Sequence, residues 1–154
     1  MLSDEEQKQR LEEFRERCAS RGLRITPQRT EVFRVLLGCD DHPPADVVFE
    51  RVRERIPNIS LDTVYRILYW LEDEGLVFRL PISSDRFRFD GDVEPHHHYV
   101  CSDCGAIFDF YSDEVDRIEL PPEVMSFGRT DRRHLQVSGM CRDCLEVQPP
   151  GAAG

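Results

Sequence analysis

Four cysteines, arranged as two close pairs, constrain the carboxyl-terminal part of this chain more than any other feature. The pairs are Cys101-x-x-Cys104 and Cys141-x-x-Cys144, and 36 residues separate them. Four thiolates in two such pairs match a closed tetrahedral zinc site, and Gly105 lets the backbone turn beneath the metal. Because a closed shell leaves no position for substrate water, this zinc would be structural and would replace hydrophobic core that a short domain lacks.

The cysteine spacing leaves two alternatives to structural zinc open. Either pair alone could form a redox dithiol of the thioredoxin type, and the four sulfurs together could hold a rubredoxin-like iron. Cys18 and Cys39 have no partner at a metal-binding spacing. We expect both to be ordinary apolar residues.

Composition predicts a globular protein with one ordinary domain or two small ones. The chain has 154 residues, of which 40% are hydrophobic and 32% are charged. No apolar run approaches the ~20 residues that cross a bilayer, and the acidic first residues do not resemble a secretory signal. We therefore expect a cytoplasmic protein, in which cysteines need not form disulfides.

Charge is distributed unevenly along the chain. The net charge is −10, yet residues 15–34 contain six arginines against two glutamates, and arginine outnumbers lysine nineteen to one. Arginine is the better residue for bidentate contacts to phosphates and bases. Residues 81–154 contain 7 arginines against 14 acids, which suits a partner or a cation. The net charge therefore does not exclude nucleic-acid binding by the first half.

Hydrophobic periodicity predicts four helices in the first half of the chain. We place them at 4–20, between Pro27 and Gly38, at about 45–56, and between Ser60 and Gly75. Thr26 and Ser60 are the candidate N-caps of the second and fourth helices. The alternating segments 76–80 and 86–90 predict a β-hairpin. Helices followed by a hairpin are the layout of a winged helix-turn-helix domain.

The second half predicts a small α/β domain, so the fold class is α+β. We expect strands near 97–101, 106–111 and 134–140, with a short helix near 113–119. The chain then divides into a winged-helix domain at 1–84, a wing end and hinge at 85–95, a metal-binding domain at 96–148 and a disordered tail at 149–154.

Three histidines and two carboxylates form a second candidate metal site. On a strand, His96 and His98 share one face and His97 takes the other. Asp109 approaches this pair if the two strands form a hairpin, while His42 and Asp90 come from the first half and the hinge. Such mixed donors suit Fe²⁺, Mn²⁺ or Zn²⁺ and can leave a coordination position open. Taken singly, His42 is more typical of an ordinary loop histidine, and Asp109 of a solvated acid.

Six blocks in order resemble the ferric uptake regulator family of metal-dependent bacterial repressors. They are GLRITPQR at 22–29, DHPPADVVFE at 41–50, SLDTVYRILYWLEDEGLV at 60–77, RFRFDG at 86–91, HHHYVCSDCG at 96–105 and CRDC at 141–144. The resemblance covers nearly the whole chain. It implies a winged-helix domain joined by a hinge to a dimerisation domain, and a homodimer that binds palindromic, double-stranded operator DNA.

The resemblance also implies the metal ligands. The structural zinc ligands would be Cys101, Cys104, Cys141 and Cys144, and the ligands of a regulatory Fe²⁺ or Mn²⁺ would be His42, Asp90, His96, His98 and Asp109. Aspartate at the position of Asp109 is typical of the peroxide-sensing branch, whereas iron-uptake regulators usually have glutamate there. That branch implies oxidation of a ligand histidine, here His42 or His96, which ejects the metal and releases the DNA.

The fourth helix is the candidate recognition helix. Tyr65 offers a ring face to thymine methyl groups, and Arg66 reaches guanine or phosphate. Arg24 resembles a basic residue that family members insert into the minor groove, where narrow grooves attract arginine. Asp62 is unusual near phosphates, and we expect it to interact with the helix dipole or with an arginine. The alternative for Tyr65 and Arg66 is a solvated helix face.

Some positions depart from the family pattern. Many members hold a further metal with a histidine at the position of Arg133, and here His134 comes one residue late. On a strand, this shift turns the side chain to the opposite face. Pro95 and His97 also stand where such members have ligands. We therefore do not expect this additional site.

Other functions compete with regulation of transcription. The histidines and carboxylates could serve a metalloenzyme, but no additional nucleophile or general base stands out near them, and we do not expect an enzyme. A redox carrier built on the paired cysteines is a second alternative. Within the family, sensing of iron, zinc or manganese stays open beside peroxide sensing.

Overall fold

The computed structural model describes residues 3–83, 86–130 and 133–147. The chain forms two compact units, and the division between them falls between Val93 and Glu94. The expected disordered tail and the middle of the predicted hairpin turn lie outside the described residues. Within the described ranges, no helix has both the length and the apolar character needed to cross a membrane.

Four helices build most of the first unit. They are α1 (Asp4–Ser20), α2 (Pro27–Leu37), α3 (Ala45–Arg53) and α4 (Leu61–Asp73). Both predicted N-caps are confirmed. The side-chain oxygen of Thr26 accepts a hydrogen bond from the backbone N–H of Arg29, and that of Ser60 accepts one from the N–H of Thr63. The third helix ends earlier than predicted, since the chain already turns ahead of Pro57.

An antiparallel hairpin completes the first unit. Its strands are β1 (Phe78–Ser83) and β2 (Arg86–Asp90), and Phe78 pairs with Asp90 at the open end. The predicted hairpin is confirmed, although its first strand lies closer to the turn than expected. The N–H of Phe89 donates to the carbonyl of Pro43 at 3.1 Å. This bond ties β2 to the loop that carries His42.

The hydrophobic core of the first unit lies among the four helices and β2. Its most enclosed side chains are Phe14, Val32, Val48, Val52, Val64, Leu68, Leu71 and Phe89. The ring centroid of Phe14 lies 5.1 Å from that of Phe33 and 6.2 Å, edge-on, from that of Trp70. The core therefore anchors α4 and β2, whose remaining residues carry the candidate functional side chains.

Gly91 follows β2 where the backbone passes against the last turns of α2. A Cβ atom at Gly91 would lie 2.8 Å from the carbonyl carbon of Leu36 and 2.9 Å from its oxygen. Backbone atoms cannot move aside as a flexible side chain can, so only glycine fits here without a shift. This contact fixes the course of the chain directly after Asp90.

The second unit is a sheet with short helices. Its described elements are β3 (His97–Cys101), β4 (Ile107–Phe110), α5 (Asp113–Asp116), α6 (Pro122–Phe127), β5 (Gln136–Gly139) and α7 (Arg142–Val147). The strand order is β4-β3-β5, with β3 antiparallel to β4 and parallel to β5. The three predicted strands are confirmed and α5 is shorter than expected. The sequence did not predict α6 and α7, because helices of six residues show too little periodicity.

Little hydrophobic core supports the second unit. Among its described residues, the buried apolar side chains are Val100, Cys101, Ile107 and Cys141. The consecutive histidines 96–98 are also buried. A unit of this size with so few enclosed apolar groups needs a further source of stability.

We expect Gly91→Ala to lower the free energy of unfolding by about 1–3 kcal/mol, because the new Cβ must displace the backbone of α2. Urea unfolding followed by circular dichroism measures this loss. Gly38→Ala is the matched control, since a Cβ there meets its nearest atom at an ordinary 3.6 Å. Equal losses in the two variants would contradict the close-contact interpretation.

Candidate metal centres and DNA-binding surface

The four paired cysteines meet in the second unit. Cys101 ends β3, Cys104 lies in the following turn, Cys141 precedes α7 and Cys144 lies within it. All four Sγ atoms lie within 4.8 Å of one another, with 3.9 Å between Cys101 and Cys144 and 3.7 Å between Cys104 and Cys141. A tetrahedral ion with Zn–S bonds of about 2.3 Å separates its sulfurs by about 3.8 Å. The donors and their spacing therefore fit zinc.

The backbone around Cys101 favours the thiolate form of that residue. Hydrogen bonds from the backbone of Cys104, and then of Cys141, lower the pKa of Cys101 to about 6. Gly105 has a φ of 71°, in the left-handed region, as expected for the turn beneath the metal. Because the four sulfurs form one cluster, the geometry argues against two independent redox dithiols.

The two remaining cysteines differ in their surroundings. Cys18 lies in the core, where burial raises the pKa of its thiol, as expected for an apolar residue. Cys39 is not simply apolar, since its sulfur lies 2.9 Å from the carbonyl of Val35 and 2.7 Å from Nη1 of Arg51. Cys39 also packs against the core, as expected for an apolar residue, and its S–H can reach a carbonyl because the end of α2 leaves carbonyl groups available.

Asp109 lies beside two of the candidate ligand histidines in the second unit. The register of β3 and β4 pairs His98 with Asp109. Oδ1 of Asp109 lies 3.6 Å from Nε2 of His98 and 3.8 Å from Nε2 of His96, and the two rings are 4.6 Å apart. Nδ1 of His96 lies 2.8 Å from the carbonyl of Glu94. Because a carbonyl only accepts, that nitrogen carries the proton and Nε2 keeps the lone pair that a metal needs.

His97 takes the opposite side of β3, as the alternation of a strand predicts. Its Nδ1 accepts the N–H of Leu135 at 3.2 Å, and its Nε2 lies 3.5 Å from Oδ1 of Asp116. Arg133 donates to the carbonyl of Ile118 at 2.6 Å and also to the carbonyl of Asp116. His97 and Arg133 therefore have protein partners at two of the positions where the family resemblance would place ligands of a further metal.

His42 and Asp90 lie together in the first unit. Nε2 of His42 is 3.7 Å from Oδ2 of Asp90, and both residues are buried. The other oxygen of Asp90 accepts the N–H of Asp92 at 2.8 Å. His42 has a φ of 46°, a left-handed conformation uncommon outside glycine. Nε of Arg88 donates to the His42 carbonyl at 2.5 Å and so helps to hold this conformation.

The exposed face of α4 carries the candidate DNA-contacting residues. Tyr65 and Arg66 are both exposed, while the apolar stripe predicted for this helix is buried. Nε of Arg66 lies 3.2 Å from Oδ2 of Asp62, which confirms the expectation that Asp62 interacts with an arginine. Both partners are exposed, so the pair holds Arg66 only weakly.

A basic recess adjoins this face of α4. Arg24 and Arg66 line a cavity of about 360 Å³ together with Arg29. The guanidinium of Arg29 lies 3.9 Å from the ring centroid of Trp70 and donates to the Arg24 carbonyl at 2.6 Å. Sequence reasoning missed Arg29, although the GLRITPQR block contains it, because its role depends on a tryptophan that is distant along the chain.

Comparison with known proteins places the chain in a family. A family model described as "Ferric uptake regulator family" matches residues 20–126. The peroxide-responsive repressor PerR of Staphylococcus saprophyticus is 36% identical over 126 residues, which cover 81% of this chain and 84% of that protein. The chain belongs to the ferric uptake regulator family.

Solved structures of this family share the fold. The ferric uptake regulator of Helicobacter pylori, described as having three functional metal binding sites, superposes with a TM-score of 0.74 at 27% identity. The match covers 92% of this chain and 95% of the Helicobacter pylori chain. A zinc uptake regulator complexed with zinc and DNA superposes with a TM-score of 0.64 at 26% identity. The match covers 92% of this chain and 96% of the chain of that regulator.

Family membership settles the class of activity. Members of this family are regulators of transcription, so the chain is a regulator and not an enzyme. Its two kinds of donor set, four cysteines and a histidine–carboxylate group, agree with the zinc and the Fe²⁺ or Mn²⁺ expected from the sequence.

We expect Cys141→Ser to lose the structural zinc and to destabilise the second unit, because three thiolates no longer close the tetrahedral shell. Elemental analysis of the purified full chain should fall from about one zinc per chain toward zero, and limited proteolysis should cut the second unit faster. Cys39→Ser is the control and should keep its zinc. Full zinc occupancy in Cys141→Ser would contradict the assignment.

Proposed function

We propose that this chain is a metal-dependent repressor that binds double-stranded operator DNA as a homodimer when it holds Fe²⁺ or Mn²⁺ between its domains, and that it senses peroxide through the Fe²⁺ form. The observation that carries the proposal is the Asp109 carboxylate within 3.8 Å of both the His96 and His98 imidazoles. The chain has aspartate rather than glutamate at this position, and the relative from Staphylococcus saprophyticus is a peroxide-responsive repressor.

The proposed regulatory metal would use donors from both units. His96, His98 and Asp109 form one set, and His42 and Asp90 form the other. Imidazole and carboxylate donors together suit a borderline divalent ion. An ion held by both sets would select one arrangement of the DNA-binding units in a dimer, and operator half-sites require a fixed separation. Metal is then an allosteric ligand of DNA binding.

The peroxide response follows from the side chains around the metal. Bound Fe²⁺ would supply the peroxide chemistry. His42 and His96 are buried, so an oxidant generated beside them would meet the imidazoles before it reached solvent. An imidazole that gains one oxygen is a poorer ligand, and loss of the metal would release the DNA.

Exposed apolar side chains on the second unit support a homodimer. Phe127 and Val147 are 84% and 81% exposed, and Tyr111, Met125 and Ile118 are also largely open. A monomer rarely exposes so many large apolar groups on so small a unit. A second copy of the same unit would cover them.

Contacts to DNA are proposed for Tyr65, Arg66 and Arg24. Tyr65 and Arg66 would enter the major groove with α4, and Arg24 would reach a minor groove beside the basic recess. Breaking the exposed ion pair with Asp62 costs little, so Arg66 is available for guanine or phosphate. A regulator of this kind would act in the cytoplasm.

An iron- or zinc-uptake regulator is the second candidate, and the fold similarity to the Helicobacter pylori ferric uptake regulator favours it. In that case, Fe²⁺ or Zn²⁺ would restore DNA binding and peroxide would not abolish it. The metal that restores binding, tested with and without peroxide, distinguishes the two candidates.

We expect DNA binding to require Mn²⁺ or Fe²⁺, and peroxide to abolish binding only in the Fe²⁺ form. Operator duplexes would be selected from a random pool with the Mn²⁺-loaded protein, and affinity would be measured by fluorescence anisotropy. After peroxide, mass spectrometry should find a gain of one oxygen on a peptide containing His42 or His96.

Asp90→Asn should abolish the metal response, because the amide is a much weaker ligand, while His134→Ala is the control and should keep it. Oxidation confined to cysteines would rule out the histidine mechanism.

Arg66→Ala should weaken operator binding by about 1–3 kcal/mol and relax base preference at one position of the half-site. Arg117→Ala is a matched control, since Arg117 pairs with Asp113 at 3.3 Å in the same spacing along the chain as Arg66 and Asp62. Unchanged affinity in Arg66→Ala would exclude Arg66 from the DNA contact.

A further inference from the structure

A second tyrosine lies beside Tyr65 on the exposed face of α4. The rings of Tyr65 and Tyr69, one helical turn apart, stack with their centroids at 6.2 Å and their planes at 26°. The two residues are 39% and 38% exposed, so the core does not enclose either ring. Each ring therefore depends on its neighbours for a fixed orientation.

Arg79 of β1 links Tyr69 to the hairpin. Its guanidinium lies 5.4 Å from the ring centroid of Tyr69 and 4.4 Å from that of Phe87 on β2. Its Nε also donates to Oε1 of Glu72, on α4, at 3.0 Å. A cation over an aromatic face is attracted by the ring quadrupole, and the planar guanidinium also stacks on the ring. Arg79 thus joins α4 to both strands of the hairpin.

The stacked rings border open space. Tyr65, Tyr69 and Phe87 contribute to the lining of a cavity of about 380 Å³. An isolated tyrosine on a helix surface samples several rotamers, and a stacked neighbour restricts them. A ring that is ordered before its ligand arrives loses less conformational entropy on binding. The arrangement therefore suits a ring that must meet a small apolar group in one orientation.

We propose that Tyr69, supported by Arg79 and Phe87, is a positioning residue that presents the Tyr65 ring to a thymine methyl group in the major groove. This inference rests on the proposed function, in which α4 enters that groove. Recognition of thymine then depends on a series of stacked side chains that starts in the hairpin, and not on Tyr65 alone.

The test replaces each thymine of the selected operator with deoxyuridine, which removes only the methyl group. With the Mn²⁺-loaded full chain, loss of the contacted methyl should weaken binding about fourfold, the value of one methyl group removed from water. Tyr65→Ala should lose this penalty at one position and so identify the contacted base.

At that base, Tyr69→Ala should bring the ratio of thymine to deoxyuridine affinities close to one, while Tyr69→Phe should keep the wild-type ratio because a phenyl ring still stacks. Arg79→Lys should lower the ratio, since an ammonium cannot stack on two rings. Arg53→Lys is the matched control and should keep the wild-type ratio. The Arg53 guanidinium also lies over a ring, 5.1 Å from the ring centroid of Phe49, and pairs with Glu50.

A full methyl penalty in Tyr69→Ala would overturn the inference, and so would a wild-type protein that binds the operator with no penalty at any thymine. Both results leave metal-dependent binding intact, whereas a failure of the proposed function would appear as no Mn²⁺-dependent binding to any duplex. Rescue by Tyr69→Phe separates positioning from loss of stability. Should Tyr69→Ala not fold, Tyr69→Leu and Arg79→Lys are judged by the same ratio.

Discussion

The second unit depends on the bonds that four cysteine sulfurs can make to one metal ion. Strands β3 and β5 pair in parallel, which requires a long connection between them, and the side chains of β5 are mostly exposed. Hydrophobic contact alone therefore does little to hold β5 in the sheet. The cysteine cluster closes the connection by joining the end of β3 to the residues that follow β5. Closing so long a segment removes much of the entropy that would otherwise oppose the fold.

The histidine and carboxylate donors present the opposite physical problem, since burying them is costly without partners. Neighbouring groups hold His96, Asp90 and His42 in place before any metal arrives. The carbonyl of Glu94 selects the tautomer of His96, and the N–H of Asp92 holds one oxygen of Asp90. Arg88 steadies the left-handed backbone of His42. Such ordering lowers the entropy that is lost when a metal binds, and limits the donors to a few arrangements.

Local signals in the sequence were sufficient to predict much of the fold. Side-chain caps such as Thr26 and Ser60, the apolar stripes of the helices and the alternating strands all follow from neighbours along the chain. The short helices α6 and α7 were not predicted, because tertiary contacts decide segments of this length. Spacing also predicted the cysteine cluster and the nearness of Asp109 to His98. The sequence could not predict the stacking of Arg79 on Tyr69 or of Arg29 on Trp70, because each pair forms only when distant segments fold together.

One strand serves both kinds of donor set in the second unit. His96, directly before β3, and His98, its second residue, face Asp109, and the cysteine that ends the same strand joins the sulfur cluster. A slip of one residue in this strand would turn His97 toward Asp109 and turn His98 away. The sulfur cluster anchors the strand against such a slip. Under the proposed function, a chain made under zinc starvation would lose the strand register that the regulatory site needs. Such a chain would fail to respond to the regulatory metal, and would not merely be less stable.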